Sequence, residues 1–176
     1  MKKLFLMGRS EAGKTSLTQA LKGEELHYVK TQYTTTDDDT IDSPGEYADS
    51  NRFSVGLACF SFEADLVAIV QAADEPFSLF SPSSRSFIRR PFIGIITKVD
   101  SPYANVPMVR QWMENAGCER IFVVNNVTRE GVAELLEYLE DDLPTLTLEQ
   151  AMFKQSLGLN EWDPLPEGVD YPENIR

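Results

Sequence analysis

Gly8-Arg9-Ser10-Glu11-Ala12-Gly13-Lys14-Thr15, set between the apolar run Leu4-Phe5-Leu6-Met7 and the helix-like Ser16-Leu17-Thr18-Gln19-Ala20-Leu21-Lys22, decides how this chain is read. The spacing is that of a phosphate-binding loop, G-x-x-x-x-G-K-[ST], and the flanks supply the strand before and the helix after that such a loop requires. The backbone must curl there so that successive N–H groups converge on phosphate oxygens at a helix N-terminus, whose dipole favours negative charge. Glycines permit that curl. The residues expected to hold a nucleotide in this stretch are Gly8, Ser10, Glu11, Ala12, Gly13, Lys14, Thr15 and Ser16. In this reading Lys14 reaches the β- and γ-phosphates, and the Thr15 hydroxyl binds a Mg²⁺ that bridges the same two phosphates. A Gly-rich turn opening an ordinary surface helix is the plainer alternative. The Lys-Thr pair at the required positions argues against it.

With 176 residues and 42% hydrophobic content, the chain is long enough for one compact domain with a real core and too short for two ordinary ones. The formal charge of −12, from 16 Lys and Arg against 28 Asp and Glu, excludes a nucleic-acid partner of the usual kind, since binding to phosphate backbones depends on clustered positive charge. A single nucleotide is a different matter, because loop amides, one lysine and a metal hold it locally. The start, Met1-Lys2-Lys3-Leu4-Phe5-Leu6-Met7, imitates a signal peptide, but its apolar segment stops at Gly8-Arg9 without a small-residue cleavage site. No stretch approaches the ~20 apolar residues of a membrane span. The expectation is a cytoplasmic, unanchored protein that binds neither membrane nor nucleic acid. Cys59 and Cys118 lack metal-ligand spacing and read as free thiols, and His27, the only histidine, builds no zinc site with them.

Taken in order, a helix over 15–22 stops at Gly23, a natural C-cap residue. The polar stretch 24–40 follows, in which Thr31-Gln32-Tyr33-Thr34-Thr35-Thr36 reads as a short strand and Asp37-Asp38-Asp39 as its solvated turn. Ile41-Asp42-Ser43-Pro44-Gly45-Glu46-Tyr47 then gives a D-x-x-G segment leaving a short strand. In a phosphate-loop protein that places Asp42 at the Mg²⁺ and the Gly45 N–H at the γ-phosphate. A Pro-Gly turn closing a strand explains the same residues without chemistry. Residues 50–60 read as a helix with Phe53, Leu57 and Phe60 near one face.

Ala64-Asp65-Leu66-Val67-Ala68-Ile69-Val70 is a near-continuous apolar run of strand length, which suggests a parallel strand covered on both faces. Residues 75–90 are rich in Pro and Ser and read as loop; Arg85, Arg89 and Arg90 form the one basic cluster, either a solvated face or a contact for an acidic partner. Phe92-Ile93-Gly94-Ile95-Ile96 is a second buried strand, and it runs directly into Thr97-Lys98-Val99-Asp100. That tetrapeptide fits the [NT]-K-x-D pattern of guanine readers. Guanine presents an N1–H and an N2 amino group on one edge, and a carboxylate accepts both; adenine has no matching pair of donors. Asp100 therefore reads the base, Lys98 lies along it and supports the phosphate loop, and Thr97 belongs to the same set.

Asn105 can N-cap a helix over 106–116, with Pro107 in its first turn and Gly117 as its stop. Ile121-Phe122-Val123-Val124 is a further strand, ending at Asn125-Asn126, and a last amphipathic helix is expected over 129–143. Alternating apolar strands and helices give an α/β fold: a mostly parallel sheet with helices on both faces. Ligands belong at the carboxyl ends of such strands. Gly8, Asp42, the 97–100 segment and Asn125-Asn126 all fall there. The nucleotide-binding domain is expected over 1–143, and a short helix near 148–157 with a Pro-rich, acidic tail over 144–176, anchored by Trp162 and Tyr171.

The order G-x-x-x-x-G-K-T, D-x-x-G, T-K-x-D resembles a small GTPase, a P-loop NTPase of the translation-factor-related class. Residues 23–32, Ile41-Asp42-Ser43-Pro44-Gly45-Glu46-Tyr47 and Gly94-Ile95-Ile96-Thr97-Lys98-Val99-Asp100 narrow the likeness to the EutP/PduV family, with the PduV side closer. The resemblance covers 1–143. It implies a small-GTPase-like protein that takes GTP or GDP with Mg²⁺ and accompanies bacterial microcompartments for ethanolamine or propanediol breakdown, with a shell or cytoskeletal protein as a further partner. It also implies a switch threonine on the metal, for which Thr31 is chosen, and base contacts from Asn125 and Asn126, the latter through its backbone N–H to guanine O6. Gly45, Lys14 and Glu46 fall at the catalytic positions. Glu46 stands where Ras-type proteins place a water-orienting glutamine, and a carboxylate beside the γ-phosphate should make hydrolysis slow.

Three functions compete on these residues. The first is Mg²⁺-dependent guanine-nucleotide binding with slow hydrolysis. A second is a docking protein with a vestigial nucleotide site, and a third, ranked last, is a phosphotransferase that passes a phosphoryl group from GTP or ATP to a small acid.

Overall fold

Every residue of the first strand, Leu4–Gly8, is buried, so this strand is covered on both faces and lies inside a sheet. The computed structural model describes residues 2–24, 26, 35–36, 40–42, 64–82, 84–88, 90–140, 148–159 and 165–172. The expected helix over 50–60, together with Thr31, Gly45, Glu46, Cys59, His27, Arg89 and Trp162, lies outside these residues. Among the described residues the elements run β1 (Leu4–Gly8), α1 (Lys14–Leu21), β2 (Thr35–Thr36), β3 (Thr40–Asp42), β4 (Leu66–Ala72), β5 (Phe92–Thr97), α2 (Val106–Ala116), β6 (Arg120–Val123), α3 (Val132–Glu140) and α4 (Leu148–Ser156). A 3-10 turn, Ser84–Phe87, interrupts the loop before β5.

The strands form one sheet in the order β2-β3-β1-β4-β5-β6. The pairs β3–β1, β1–β4, β4–β5 and β5–β6 are parallel, and only β2 runs antiparallel, against β3. This is the expected mostly parallel α/β sheet. Alternation along β1 divides the core. Leu4 and Leu6 join Leu66, Ala68, Val70, Ile93 and Ile95 beneath Leu17, Ala20 and Leu21 of α1 and Val132, Leu135 and Leu139 of α3. Phe5 and Met7 join Val67, Ile69, Phe92 and Ile96 beneath Val109, Met113 and Ala116 of α2. Helices therefore cover both faces. At ~25 cal/mol per Å² of apolar surface, burying residues of this size contributes on the order of 2 kcal/mol each, before the cost of ordering them.

Helix α2 begins and ends as its caps dictate. The Asn105 side chain accepts from the Met108 N–H at 3.2 Å, and Gly117 closes the helix at φ 90. The expected helix over 129–143 starts later, at Val132, because Arg129 (φ 63) and Gly131 (φ 76) hold a left-handed turn that no helix can continue through. Strands β4 and β6 are likewise shifted by one or two residues from 64–70 and 121–124. Arg85 corrects the reading of the basic cluster. Its guanidinium pairs with Glu119 at 2.8 Å and donates to the Ile88 carbonyl, so it closes the 3-10 turn onto the residue before β6. At the far end of the sheet, Arg120 of β6 stacks 5.1 Å from the ring centres of both Phe122 and Tyr138 and meets Glu134 at 3.3 Å.

The chain divides into two compact units, Met1–Glu140 and Asp141–Arg176. In the second, α4 ends before Gly158 (φ 74), and the Phe153 and Tyr171 rings lie 5.8 Å apart, which fastens the described part of the tail, 165–172, to that helix. No helix among the described residues is long and apolar enough to cross a membrane.

Candidate functional site

The loop after β1 is built from close approach and left-handed backbone. A Cβ on Gly8 would lie 2.2 Å from the Val70 carbonyl oxygen, so only glycine lets β1 end this near β4. The Ala12 N–H donates to the Arg9 carbonyl at 3.1 Å, Glu11 sits at φ 67, and Gly13 at φ 87 turns the chain into α1. The Lys14 ammonium folds back under this curl and donates to the Gly8 carbonyl at 2.9 Å and the Arg9 carbonyl at 3.0 Å. Lys14 is only 6% exposed, an unusual burial for a lysine, and those carbonyls are what make it tolerable. Thr15 and Ser16, half-buried, open the helix immediately after it.

Two other strand ends reach the same loop. The Thr97 hydroxyl, at the end of β5, donates to the Ala12 carbonyl at 2.6 Å, and the Asn126 carboxamide nitrogen, after β6, donates to the Gly13 carbonyl at 3.1 Å. Thr97 is fully buried, so its hydroxyl is a strut beneath the loop. Asn125 is equally committed: its side-chain oxygen accepts the N–H groups of Val127 at 2.9 Å and Thr128 at 3.1 Å, which shapes the turn after β6. The Asn126 side-chain oxygen is buried and has no hydrogen-bond partner among the described residues.

Beyond Thr97 the chain turns sharply, with Lys98 exposed at φ 52 and the Ser101 N–H donating to the Lys98 carbonyl at 3.1 Å. Asp100 is exposed on this turn. Asp42 ends β3, in register with Leu6 of β1 and two residues short of the level of Gly8. The carboxyl ends of β1, β5 and β6 thus bring residues 8–16, Thr97, Lys98, Asp100, Asn125 and Asn126 together, while Thr31, Gly45 and Glu46 lie outside the described residues.

A further group at this rim carries no sequence signal. The Glu75 carboxylate, just after β4, accepts the Ala72 N–H at 3.2 Å. Burial raises its pKa above the ordinary carboxylate range, and the Ala72 N–H and then the positive charges of Arg9 and Lys98 oppose that rise. Arg9 in turn lies 5.2 Å over the ring of Phe77. In sequence, Glu75 only opens the Pro- and Ser-rich stretch read as loop; its link to residue 9 exists because β4 is the neighbour of β1.

Among the described residues there is no group of three or more His, Cys, Asp or Glu side chains able to hold a metal ion. The arrangement instead offers one buried cation at a helix start, a curl of backbone amides and a carboxylate on a neighbouring loop, which together suit a polyanion carrying a hydrogen-bonding head group.

Sequence comparison agrees on where this chain belongs. Residues 1–141 match the family model described as PduV-EutP, ethanolamine utilisation and propanediol utilisation. The chain is 41% identical over 141 residues to the propanediol utilization protein PduV of Citrobacter freundii, covering 79% of this chain and 93% of that protein. It is 31% identical over 142 residues to the probable acetate kinase EutP of Escherichia coli K12, and 33% identical over 142 residues to the probable acetate kinase EutP of Salmonella typhimurium, covering 79% of this chain and 89% of each relative. On the match of 141 of its residues and on these identities, the chain belongs to the PduV-EutP family.

Proposed function

We propose that this protein is a P-loop NTPase of small-GTPase-like fold that binds a guanine nucleotide with Mg²⁺, and that it serves propanediol or ethanolamine utilisation at a bacterial microcompartment. The observation that carries the reading is Lys14. A buried ammonium held on the Gly8 and Arg9 carbonyls, at the first residue of α1, is poised to exchange those carbonyls for phosphate oxygens. Asp100, on the turn after β5, supplies the acceptor for the guanine N1–H and N2 amino group, with Lys98 along the base. The Asn126 backbone N–H faces the guanine O6.

Mg²⁺ fits the donors on offer, a Thr15 hydroxyl and the Asp42 carboxylate, both hard oxygen ligands, with Thr31 as a third. When bound there, it would neutralise phosphate charge. Lys14 holds the β- and γ-phosphate oxygens as negative charge builds on them, and the Gly45 N–H meets the γ-phosphate. Glu46 faces that charge with a carboxylate, so hydrolysis by water is slow and the site retains its nucleotide.

The names of the two EutP relatives, probable acetate kinases, favour a second reading, transfer of the γ-phosphoryl group to acetate. In that step an acetate oxygen bonds to the γ-phosphorus, the bond to the bridging oxygen breaks, and acetyl phosphate and the nucleoside diphosphate leave.

Titration of the full chain with fluorescent GTP and ATP tests the first reading: GTP is expected to bind at least tenfold more tightly, and equal affinity sinks the guanine assignment. Asp100→Asn should turn the preference toward xanthosine nucleotides. Lys14→Ala should abolish binding. Incubation of the loaded protein with and without acetate separates the two fates, since acetyl phosphate appears only in the second.

A further inference from the structure

The loop after β4 is built onto its own strand and then onto the phosphate loop. The Glu75 N–H donates to the Ala72 carbonyl and the Glu75 carboxylate takes the Ala72 N–H, both at 3.2 Å, so one residue of β4 holds Glu75 at two points. Gln71, fully buried, donates to the Phe77 carbonyl at 3.1 Å and accepts the Ser78 hydroxyl at 3.4 Å. Beside this loop, Gly8 ends β1 in register with Val70, and the Arg9 guanidinium lies 5.2 Å from the centre of the Phe77 ring. The Arg9 carbonyl in turn takes the Lys14 ammonium at 3.0 Å. Contacts therefore run from the loop that carries Glu75, through Phe77 and Arg9, to the lysine of the phosphate loop.

A carboxylate here works against the ligand that the phosphate loop suits. Lys14 and the start of α1 draw a polyanion in, and a negative charge anchored on the adjoining loop repels it; water screens that charge less because Glu75 is half-buried. Burial, the largest influence on this carboxyl, and the Asp74 charge favour its neutral form, while the Ala72 N–H, Arg9 and Lys98 favour the ionised one. Anchoring alone does not call for an acid, since a glutamine would accept the same Ala72 N–H and carry no charge. Coulomb repulsion grows with the charge of the ligand, so the carboxylate weakens a triphosphate more than a diphosphate and leaves an uncharged nucleoside alone.

We propose that Glu75 is a specificity determinant that acts by charge: its carboxylate, anchored on Ala72 beside the phosphate loop, narrows the preference of the site for the more highly charged ligand, a nucleoside triphosphate over the diphosphate. This rests on the reading of residues 8–15 as a phosphate site, and adds to that site a residue of a neighbouring strand's loop, acting through space.

The test compares the full-length wild type, Glu75→Gln and Glu134→Gln for binding of GTP, GDP, guanosine and inorganic pyrophosphate, with Mg²⁺ present, by calorimetry at about pH 8 in low and high salt, with thermal melting of each. Glu75→Gln keeps the acceptor for the Ala72 N–H; Glu134, paired with Arg120 at the amino end of β6, controls for the net charge of the protein. Glu75→Gln should bind GTP and pyrophosphate roughly 3- to 10-fold more tightly and GDP by a smaller factor, with guanosine unchanged and the gain shrinking in high salt, while Glu134→Gln matches the wild type. Unchanged or weaker GTP binding in folded Glu75→Gln overturns the proposal, as does a gain shared equally by guanosine or by Glu134→Gln. If the wild type binds pyrophosphate but no nucleoside triphosphate selectively, tighter pyrophosphate binding in Glu75→Gln leaves the charge role standing while the nucleotide reading falls. Binding of none of these by the wild type or Glu75→Gln removes both.

Discussion

The Thr97 hydroxyl donates to the Ala12 carbonyl at 2.6 Å, joining residues 85 apart in sequence at a fully buried point. This bond ties the end of β5 to the loop after β1 across the intervening β4. Thr97→Val removes the donor while keeping the branched shape, and it leaves the Ala12 carbonyl buried and unpaired. The expected loss is about 1–3 kcal/mol of unfolding free energy in urea denaturation, with Thr97→Ser retaining most of it.

Gly131 is the second point at which backbone geometry admits one residue type. It lies at φ 76, and a Cβ there would come 2.1 Å from the Val123 carbonyl oxygen, a backbone atom at the end of β6 that has nowhere to go. Gly131→Ala should cost about 2 to 5 kcal/mol, read by the same denaturation experiment, because the strain and the overlap act together.

Glu75 gives a pH signature. Burial raises its pKa in the folded protein, so between the ordinary carboxyl value and the raised one the folded state binds more protons than the unfolded state. Its contribution to stability is then fully present below the ordinary value and falls as pH rises through the raised one. Glu75→Gln should match the wild type in melting temperature at acid pH and exceed it increasingly as the pH rises through that window. A constant offset at all pH values would contradict the assignment.

Cys118 should be inert. Burial pushes its thiol well above the usual range, the neighbouring Glu119 charge adds to the shift, and Arg85 opposes both. In a Cys59→Ser background, alkylation by iodoacetamide at pH 8 is expected to be far slower than for a small free thiol, and to become fast only in denaturant.

Much of this architecture was legible in the residues. Helix α2 was read with its boundaries because Asn105 and Gly117 are local signals, and the buried strands announced themselves as unbroken apolar runs. The turn at Arg129 and Gly131 was not, since the helical spacing of Val132, Leu135 and Leu139 extends backward through residues whose left-handed backbone is imposed by contact with β6. The inward pairing of Arg85 with Glu119 was hidden for a similar reason: 34 positions separate them, and only the sheet brings them together. At the site, sequence named Thr97 and Asn126 for the base, the latter through its backbone, and did not show that their side chains also hold the Ala12 and Gly13 carbonyls of the loop. Spacing in a motif tells which residues gather, and which atom of each does the holding depends on packing.

Among the described residues the sheet ends at β6, a strand of four residues whose first, Arg120, lies 5.1 Å from the ring centres of Phe122 and Tyr138 and meets Glu134 at 3.3 Å. A sheet margin is an invitation to any stray chain with unmet backbone groups. A strand of only four residues led by an exposed cation weakens that invitation, because an incoming strand finds few backbone groups to pair with and has to lie beside a charge. This margin is thereby a poor seed for pairing one copy of the chain with another.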